Sequence, residues 1–475
     1  MSSATSTPEL ERATIKRITK RIVPFLIVLY VLNYLDRTNI AFSALQMNDD
    51  IGISTVTFGL GAGIFFLAYF LFEVPSNIAL HRFGARRWIA RIMISWGIVA
   101  SAMAFIQNAE QFLTLRVLLG IAEAGFFPGI IFYLSLWFPA RYRARVIALF
   151  YLGIPISQVI GAPLSAGLIK LGDFDGFAGW RTMYLVEGLP AVILGIVTIF
   201  YLTDRPTQAK WLNPDQREWL SAELDREEQL KHLEVGSASS KGAQVRKVLA
   251  NPTVWALALI YFGITSGSNA MSFFFPSVLA AFGDGFGIEL GIIETGLITA
   301  IPYAVAVVAM ILWSRHSDKN NERRFHGGGA AIVAGVSIAF ALSIDHPVAT
   351  VLGFIALAAG VYAGITVFWA IPGQLLTGIG AAAGIGLINS IGNLSGFSGP
   401  YLTGWLYELT GSYTPPFLVI AALVTAAGLG LIIVMRKKHV IAVNAQSATN
   451  DDTTISGSDT EQTTLNRVIS TTKSQ

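Results

Sequence analysis

The stretch PFLIVLYVLNYLDRTNIAFS, residues 24–43, is an apolar run that contains an acid and a base side by side, Asp36 and Arg37. Its length matches the ~20 residues that a helix needs to cross the hydrocarbon core of a bilayer. A charge at that depth costs roughly 2.5 to 3.5 kcal/mol even on mild insertion scales. The pair therefore needs a partner, a ligand or a water-filled cavity, and the stretch predicts a membrane helix that carries part of a functional site.

Composition indicates the same setting for the whole chain. Hydrophobic residues make up 53% of its 475 residues, charged residues 13%, and the mean hydropathy is +0.57. Soluble domains carry about 25% charged residues, so this composition predicts an integral membrane protein. The net charge of +3 gives no reason to expect nucleic acid as a partner. The absence of cysteine excludes disulfides and thiolate metal sites.

Enzyme motifs are missing from the sequence. We find no His-rich metal pattern, no nucleophile motif and no nucleotide-binding loop, so we expect no metal, no cofactor and no enzymatic activity.

Twelve apolar stretches of spanning length follow one another along the chain. Their backbone groups must be hydrogen-bonded internally in lipid, so all twelve are predicted to be helices. They start near residues 24, 56, 87, 111, 145, 181, 253, 291, 327, 348, 380 and 414. The sequence thus predicts an all-α membrane protein of two six-helix halves, 24–203 and 251–438. The remaining segments are an N-terminal segment 1–23, a linker 204–250 and a disordered tail 439–475.

Positive charge alternates between successive turns and predicts the orientation. The N-terminus and the turns 82–91, 141–145, 315–324 and 436–438 are basic, whereas 46–54, 107–111, 281–289 and 408–414 contain no Lys or Arg. The positive-inside rule therefore predicts that both termini and the linker lie in the cytoplasm. The chain itself is expected to span the inner (cytoplasmic) membrane of a cell. Lys170 and Arg181, which flank the turn after the fifth helix, are the exception.

Two of these basic turns look like copies of each other. Residues 77–87 and 314–324 each follow the second helix of their half and each end in two arginines. Related halves with a site between them are typical of secondary transporters. Ordinary basic cytoplasmic loops are the alternative interpretation.

A second pair of membrane-depth charges, Arg116 and Glu123, lies in the run 111–137. Asp36 and Glu123 each lie about 18 Å into helices of opposite direction, near the middle of a ~30 Å core. Arg116 and Glu123 are two turns apart and share a helix face. If the first and fourth helices face each other, the four charges converge. The alternative to a functional site is that these charges form internal ion pairs that only stabilise the helix bundle.

The acids and the arginines are predicted to have different roles. A carboxyl group in a cavity of low dielectric can take up and release a proton as the cavity opens to each side, so Asp36 and Glu123 are the predicted proton-coupling residues. Arginine stays charged and offers a planar fork that matches a carboxylate, so Arg37 and Arg116 are the predicted anion-binding residues. A bound anion would compete with an acid for its arginine, which couples proton to anion.

Four segments together resemble a known family. They are Asn-Tyr-Leu-Asp-Arg-Thr-Asn at 33–39, Arg-Phe-Gly-Ala-Arg-Arg at 82–87, Arg-Val-Leu-Leu-Gly-Ile-Ala-Glu-Ala-Gly at 116–125 and Gly-Ala-Pro at 161–163. They look like the anion:cation symporter branch of the major facilitator superfamily, and most like its bacterial permeases for tartrate, phthalate and related organic acids. The resemblance implies the same roles for the four charges and adds Tyr34 and Tyr69 as hydroxyl donors to the substrate.

The loop signature of the superfamily departs from its usual pattern here. The first copy has Asn77 and His81 at the usual Gly and Asp positions, while the second copy has Ser314 and keeps Asp318. The departure weakens the usual charge-relay interpretation of the first loop and leaves the fold expectation intact.

Further polar residues at membrane depth are candidates for the opposite wall of the pocket. Gln158, Trp369, Asn389 and Asn393 supply amides and an indole to substrate. Asn389 and Asn393 share a helix face, and Asn393 is equally well explained as a bond between helices. Glu73 is predicted to reach the membrane interface or a loop arginine and is left out of the site.

The predicted function is proton-coupled import of a small organic acid anion, such as a tartrate-like hydroxy-dicarboxylate or a sugar acid, by alternating access. A sodium-coupled symporter, an exchanger of aromatic carboxylates on the same fold and a passive channel stay open as alternatives. The predicted partners are the anion, the proton and the lipid bilayer, and the chain is expected to work as a monomer.

Overall fold

The computed structural model describes residues 8–151, 153–173, 176–236, 249–285, 287–344, 346–375 and 378–456. The first half contains α1 Pro8–Thr38, α2 Ile40–Asp50, α3 Thr55–Phe83, α4 Ala85–Ala102, α5 Ala109–Glu123, α6 Phe126–Ser135, α7 Ala140–Tyr151, α8 Gly153–Leu171 and α9 Gly179–Tyr201. The linker contains α10 Pro214–Gly236. The second half contains α11 Pro252–Gly285, α12 Ile292–Lys319, α13 Arg324–Ser343, α14 Pro347–Phe368, α15 Ala370–Leu375, α16 Gly378–Asn393, α17 Ser395–Thr410 and α18 Thr414–Ser456. The prediction of an all-α membrane protein is confirmed.

Eleven helical segments of the described residues are long and apolar enough to cross a membrane. They correspond to eleven of the twelve predicted spans. The span predicted to start near residue 380 consists of α16 and α17, which have 16 residues each. The twelfth crossing and the cytoplasmic location of the termini stay predictions.

Three predicted boundaries can be compared with the helices. α1 begins at Pro8, so the described part of the segment 1–23 is helical and continuous with the first span. α18 extends to Ser456, into the segment predicted to be a disordered tail. Residues 1–7, 237–248 and 457–475 lie outside the described part of the chain.

The two halves repeat the same helix pairing. In the first half α4 packs against α9 and α3 against α5, and in the second half α13 packs against α18 and α12 against α14. These are the same ordinal spans in each half. The predicted pseudo-symmetry is therefore confirmed, and it explains why a cavity lies between two similar bundles.

The halves contact each other along an inter-half seam, which is α3 against α17 and α8 against α12. A Cβ atom on Gly59 would lie 2.5 Å from the carbonyl oxygen of Pro400, and one on Gly404 would lie 2.4 Å from that of Thr55. The α3 and α17 backbones therefore touch, which only glycine permits here. The contacts lie near the turns that lack Lys and Arg, so this face of the membrane protein is closed.

The fourth span is broken between α5 and α6. Gly125 has a φ of +87°, a left-handed conformation that favours glycine. The Ser76 hydroxyl donates to the carbonyl oxygen of Ala124 at 2.6 Å and satisfies a backbone group that the break leaves free. The break puts Glu123 at the C-terminal end of α5, inside the bundle. In the second half, Trp369 lies at the equivalent junction between α14 and α15.

Candidate functional site

A cavity of about 1100 Å³ lies between the two halves. Residues of α1, α3 and α8 line it on one side, and residues of α11, α12, α14 and α16 line it on the other. Arg315, Asp318 and Arg323 line it at the turn 314–324, which is one of the basic turns. The cavity therefore reaches the membrane face that carries the basic turns, called the basic face below, while the inter-half seam closes the other end.

Arg37 links the cavity to the interior of the first half. It lines the cavity, and its Nε atom donates to Oε2 of Glu123 at 2.8 Å. Its guanidinium lies 4.9 Å from the ring centre of Tyr69, 5.4 Å from that of Tyr34 and 5.3 Å from that of Phe65. This aromatic cage holds the cation in place. Its Nη2 atom makes no hydrogen bond to any described residue, so a donor remains available.

Glu123 is fully buried behind Arg37. Its Oε2 atom accepts a second hydrogen bond, from Nδ2 of Asn33 at 2.7 Å. Asn33 and Arg37 are one turn apart on α1, so both reach the same carboxylate. Oε1 of Glu123 has no hydrogen-bond partner among the described residues. Charge-assisted bonds of this kind are stronger than neutral ones, but the loss of either ion would leave the other charge buried without compensation.

Asp36 points in a different direction. Its Oδ2 atom accepts a hydrogen bond from Nε1 of Trp96 in α4 at 2.6 Å, and it is not among the described residues that line the cavity. Successive residues on a helix point about 100° apart, and of these two neighbours on α1 Arg37 lines the cavity while Asp36 does not. The expectation that all four charges converge is therefore wrong for Asp36.

Arg116 is also outside the cavity. It is 1% exposed, and its Nε atom donates to the carbonyl oxygen of Gly61 at 2.9 Å. No acid in the described part of the chain forms a salt bridge with it. Arg116 precedes Glu123 by seven residues, about 10 Å along α5, and lies beside the backbone of α3. The expected convergence thus holds only for Arg37 and Glu123, and the binding role of Arg116 stays a prediction.

The other predicted binding residues do line the cavity. Gln158 of the first half donates from Nε2 to the hydroxyl of Ser272 in the second half at 3.2 Å, so this contact crosses between the halves. Nε1 of Trp369 is buried and has no hydrogen-bond partner within the described residues. The complete set of predicted residues in the lining is Tyr34, Arg37, Tyr69, Gln158, Trp369, Asn389 and Asn393.

Sequence reasoning missed several residues of the site. Glu73, which the sequence prediction leaves out of the site, lines the cavity one turn after Tyr69 on α3. Asn269 and Ser272 of α11 also line it. Glu187 of α9 is a buried acid that received no role. The signal for both acids was present, because each is a charge inside an apolar run.

Comparison with known proteins identifies the family. The sequence profile of the Major Facilitator Superfamily matches residues 26–400. Two proteins named "Putative tartrate transporter" from Agrobacterium vitis are each 46% identical to this chain; one alignment covers 90% of the chain and 96% of the relative, the other 93% and 95%. The inner membrane transport protein RhmT of Escherichia coli is 37% identical over 90% of the chain and 97% of its own length.

Solved structures share the fold at low sequence identity. A bacterial homologue of the human lysosomal transporter Spinster, in an inward-facing and unoccupied conformation, superposes with a TM-score of 0.71 at 16% identity, covering 91% of this chain and 98% of that one. A D-xylose–proton symporter superposes with a TM-score of 0.67 at 14% identity, covering 86% and 96%. Sequence profile, relatives and fold agree, and the chain belongs to the major facilitator superfamily of membrane transporters.

Proposed function

We propose that this chain is a proton-coupled symporter that carries a small organic acid anion into the cell by alternating access. The observation that carries the proposal is the ion pair between Arg37, which lines the cavity, and Glu123, which is buried behind it. The pair joins an anion-binding group to a proton-binding group through one shared hydrogen bond.

Competition for Arg37 supplies the coupling. A substrate carboxylate that binds the guanidinium would displace the Glu123 carboxylate, because one arginine cannot neutralise two carboxylates equally well. Glu123 then lies in a buried site without its cation, and uptake of a proton by its carboxylate removes the unpaired charge. Release of the anion reverses both steps: Glu123 loses the proton and pairs again with Arg37. Anion and proton would therefore move together.

Asp36 and Arg116 act in this proposal at a distance from the substrate. Both interact electrostatically with Glu123 without contacting it. Asp36 is the proposed second proton site. Arg116 keeps positive charge near the ion pair, and its proposed contact with the substrate would require a different conformation of α5 against α3.

The polar residues that line the cavity support a hydroxylated substrate. Gln158 presents an amide on the same side as Arg37, and Ser272, Asn269, Asn389 and Asn393 present hydroxyl and amide groups on the other side. Such groups can exchange hydrogen bonds with the hydroxyls and the second carboxylate of a tartrate-like hydroxy-dicarboxylate or of a sugar acid. The names of the two relatives at 46% identity agree with this class.

Aromatic carboxylates are the second candidate substrates. Several aromatic rings line the cavity, among them Phe66, Phe127, Tyr151, Tyr261 and Phe273. These rings could stack on a benzoate-like or pyridine-like acid while Arg37 binds its carboxylate.

Purified protein in liposomes tests the proposal. A thermal-shift screen of about twenty carboxylates identifies the ligand, because a ligand that binds only the folded state stabilises it. The same ligand should then acidify the liposome interior on entry, as reported by a trapped pH dye, with no requirement for sodium. Uptake without acidification would overturn proton coupling, and acidification by aromatic acids alone would favour the second substrate class.

A further inference from the structure

Glu187 is a buried acid that the transport mechanism above does not use. It lies on α9, eight residues or about 12 Å from the start of that helix, and is 4% exposed. Its Oε1 atom accepts a hydrogen bond from the Ser165 hydroxyl of α8 at 2.7 Å. Oε2 has no hydrogen-bond partner in the described part of the chain, and no described cation forms a salt bridge with this carboxyl.

A buried amide lies beside this carboxyl. Asn39, at the junction of α1 and α2, is 2% exposed and interacts with Glu187. Neither Nδ2 nor Oδ1 of Asn39 satisfies the geometry of a hydrogen bond to any residue that the structure describes. An amide offers both a donor and an acceptor, so it can bridge two carboxyl groups that differ by one proton.

Asp36 connects this pocket to the ion pair of the cavity. It interacts electrostatically with both Glu187 and Glu123, and its Oδ1 atom has no hydrogen-bond partner within the described residues. α1 also packs against α9, and Asn33 and Arg37 of α1 donate hydrogen bonds to Glu123 of α5. The three acids therefore form a series on contacting helices, from α9 through α1 to α5. Glu123 is the member of the series that contacts a cation, Arg37.

The remaining elements packed around Glu187 contribute few charges. α2 contributes Ser43, whose hydroxyl lies 2.9 Å from the hydroxyl of Tyr184 on α9. Arg116 of α5 interacts electrostatically with Tyr184. α4 approaches α9 through small residues, with Gly97 and Ser101 next to Gly188. Arg37 and Arg116 thus accompany the acids Asp36, Glu123 and Glu187, so full ionisation of the three acids would leave one unbalanced negative charge.

We infer that Glu187 is a third proton-carrying carboxyl of the transport cycle and shares a proton with Asp36 on the side of α1 away from the cavity. The inference rests on the proposed proton coupling. In the transfer, the O–H bond of protonated Glu187 breaks and an O–H bond forms on the Asp36 carboxylate, which leaves Glu187 ionised. Asp36 then supplies the proton to Glu123 when the substrate takes Arg37. The proton thus reaches Glu123 by a route separate from the anion.

The route has a direction. Ser43 on α2 contacts Tyr184, which lies one turn before Glu187 on α9, and Glu187 itself lies beside Asn39. Asn39 follows Asp36 by about one turn in the direction of the closed face, so Glu187 lies on the side of Asp36 that is remote from the basic face. A proton that enters from the closed face would meet Glu187 first. This explains why an acid without a cation partner lies at this point of the first half.

Glu187→Gln tests the inference, because glutamine keeps the size and the acceptor for Ser165 but holds no exchangeable charge. We expect accumulation of substrate driven by a proton gradient to fall about tenfold or more, the range of a typical coupling free energy between two sites. Exchange of substrate between the two sides without a proton gradient should stay within about twofold of wild type. Glu187→Asp should recover part of the accumulation, and Glu110→Gln, at an exposed acid, is the matched control.

The outcomes separate this inference from the proposed function. Wild-type protein that takes up substrate without acidification refutes proton coupling itself. Coupled wild-type protein together with a Glu187→Gln variant that accumulates normally refutes the role of Glu187 alone. Equal loss of accumulation and exchange in Glu187→Gln, with no recovery in Glu187→Asp, would mark a structural role and also overturn the inference.

Discussion

The Nε atom of Arg37 lies 2.8 Å from Oε2 of Glu123, and only Arg37 of this pair is among the described residues that line the cavity. One charge of the ion pair is thus within reach of a substrate, while the other is sealed in the first half. A substrate carboxylate and Glu123 therefore compete for the same guanidinium from opposite sides. The following predictions separate binding, coupling and conformational change in this arrangement.

Glu123→Gln should uncouple transport. Glutamine can still accept a hydrogen bond from Arg37 but cannot alternate between a charged and a neutral form. We expect exchange of substrate to persist within a few-fold and proton-driven accumulation to fall about tenfold or more. Paired exchange and accumulation assays in liposomes measure the two quantities. Normal accumulation would rule out Glu123 as a coupling residue.

Arg37→Lys and Arg116→Lys should differ in their effect on affinity. Lysine lacks the planar fork, and hydrogen bonds to charged groups contribute about 1.5 to 3 kcal/mol, so Arg37→Lys should weaken substrate binding roughly 10-fold to 150-fold. Arg116→Lys changes a contact with the backbone of α3 and should mainly lower the melting temperature. Ligand titrations measure the substrate affinity of both variants, and thermal unfolding measures their melting temperatures. A larger loss of affinity in Arg116→Lys would instead support its predicted role as an anchor.

Gly59→Ala should open the inter-half seam. The new Cβ atom would lie 2.5 Å from the carbonyl oxygen of Pro400, and overpacking of this kind typically costs 1 to 3 kcal/mol, about 5-fold to 150-fold in a conformational equilibrium. The chain has no cysteine, so a single Thr403→Cys beside the seam reports its exposure through the rate of thiol labelling.

The matched control for the seam is Gly167→Ala. A Cβ atom at Gly167 would meet no described atom within 4 Å, so labelling of Thr403→Cys should stay as in the parent. Unchanged labelling in Gly59→Ala would contradict the interpretation that this contact closes the cavity.

Glu322→Gln should lower stability at neutral pH. Glu322 accepts hydrogen bonds from the backbone N–H groups of Phe325, at 2.7 Å, and His326, at 3.0 Å, at the start of α13. Partial burial opposes the shift, but hydrogen bonds from the His326 ring and these N–H groups lower the pKa of Glu322 below its ordinary value. Because the folded-state pKa is depressed, the stabilisation is present above the ordinary value of about 4.3 and is lost as pH falls through the lowered pKa.

Melting temperatures at two pH values check this prediction. Wild-type protein should melt higher than Glu322→Gln at pH ~7, and the difference should shrink below pH ~4. Glu289→Gln, at an exposed acid in another turn, is the control. A difference that is constant with pH would argue against an ionised helix cap.

Much of the fold is readable from the chain. Spanning helices follow from the length of apolar runs, because lipid forces each backbone to bond internally. The two-half arrangement follows from the position of the polar linker and from the alternation of basic turns. The membrane depth of Arg37 and Glu123 can likewise be predicted by counting residues along their apolar runs.

The direction in which each charged side chain points depends on how the helices pack. A membrane helix is apolar on all sides, since lipid and protein interior are both apolar, so its sequence carries little information about which face meets the cavity. Asp36 and Arg37 are neighbours in the chain, yet helix rotation sends one to Trp96 and the other to the cavity. Arg116 points to the carbonyl oxygens of Gly61 and Ala62 in α3, because α3 packs against α5 at this level. The order of residues along the chain is thus enough to predict charges buried in a two-half helical bundle, whereas the packing between helices determines which of these charges meet.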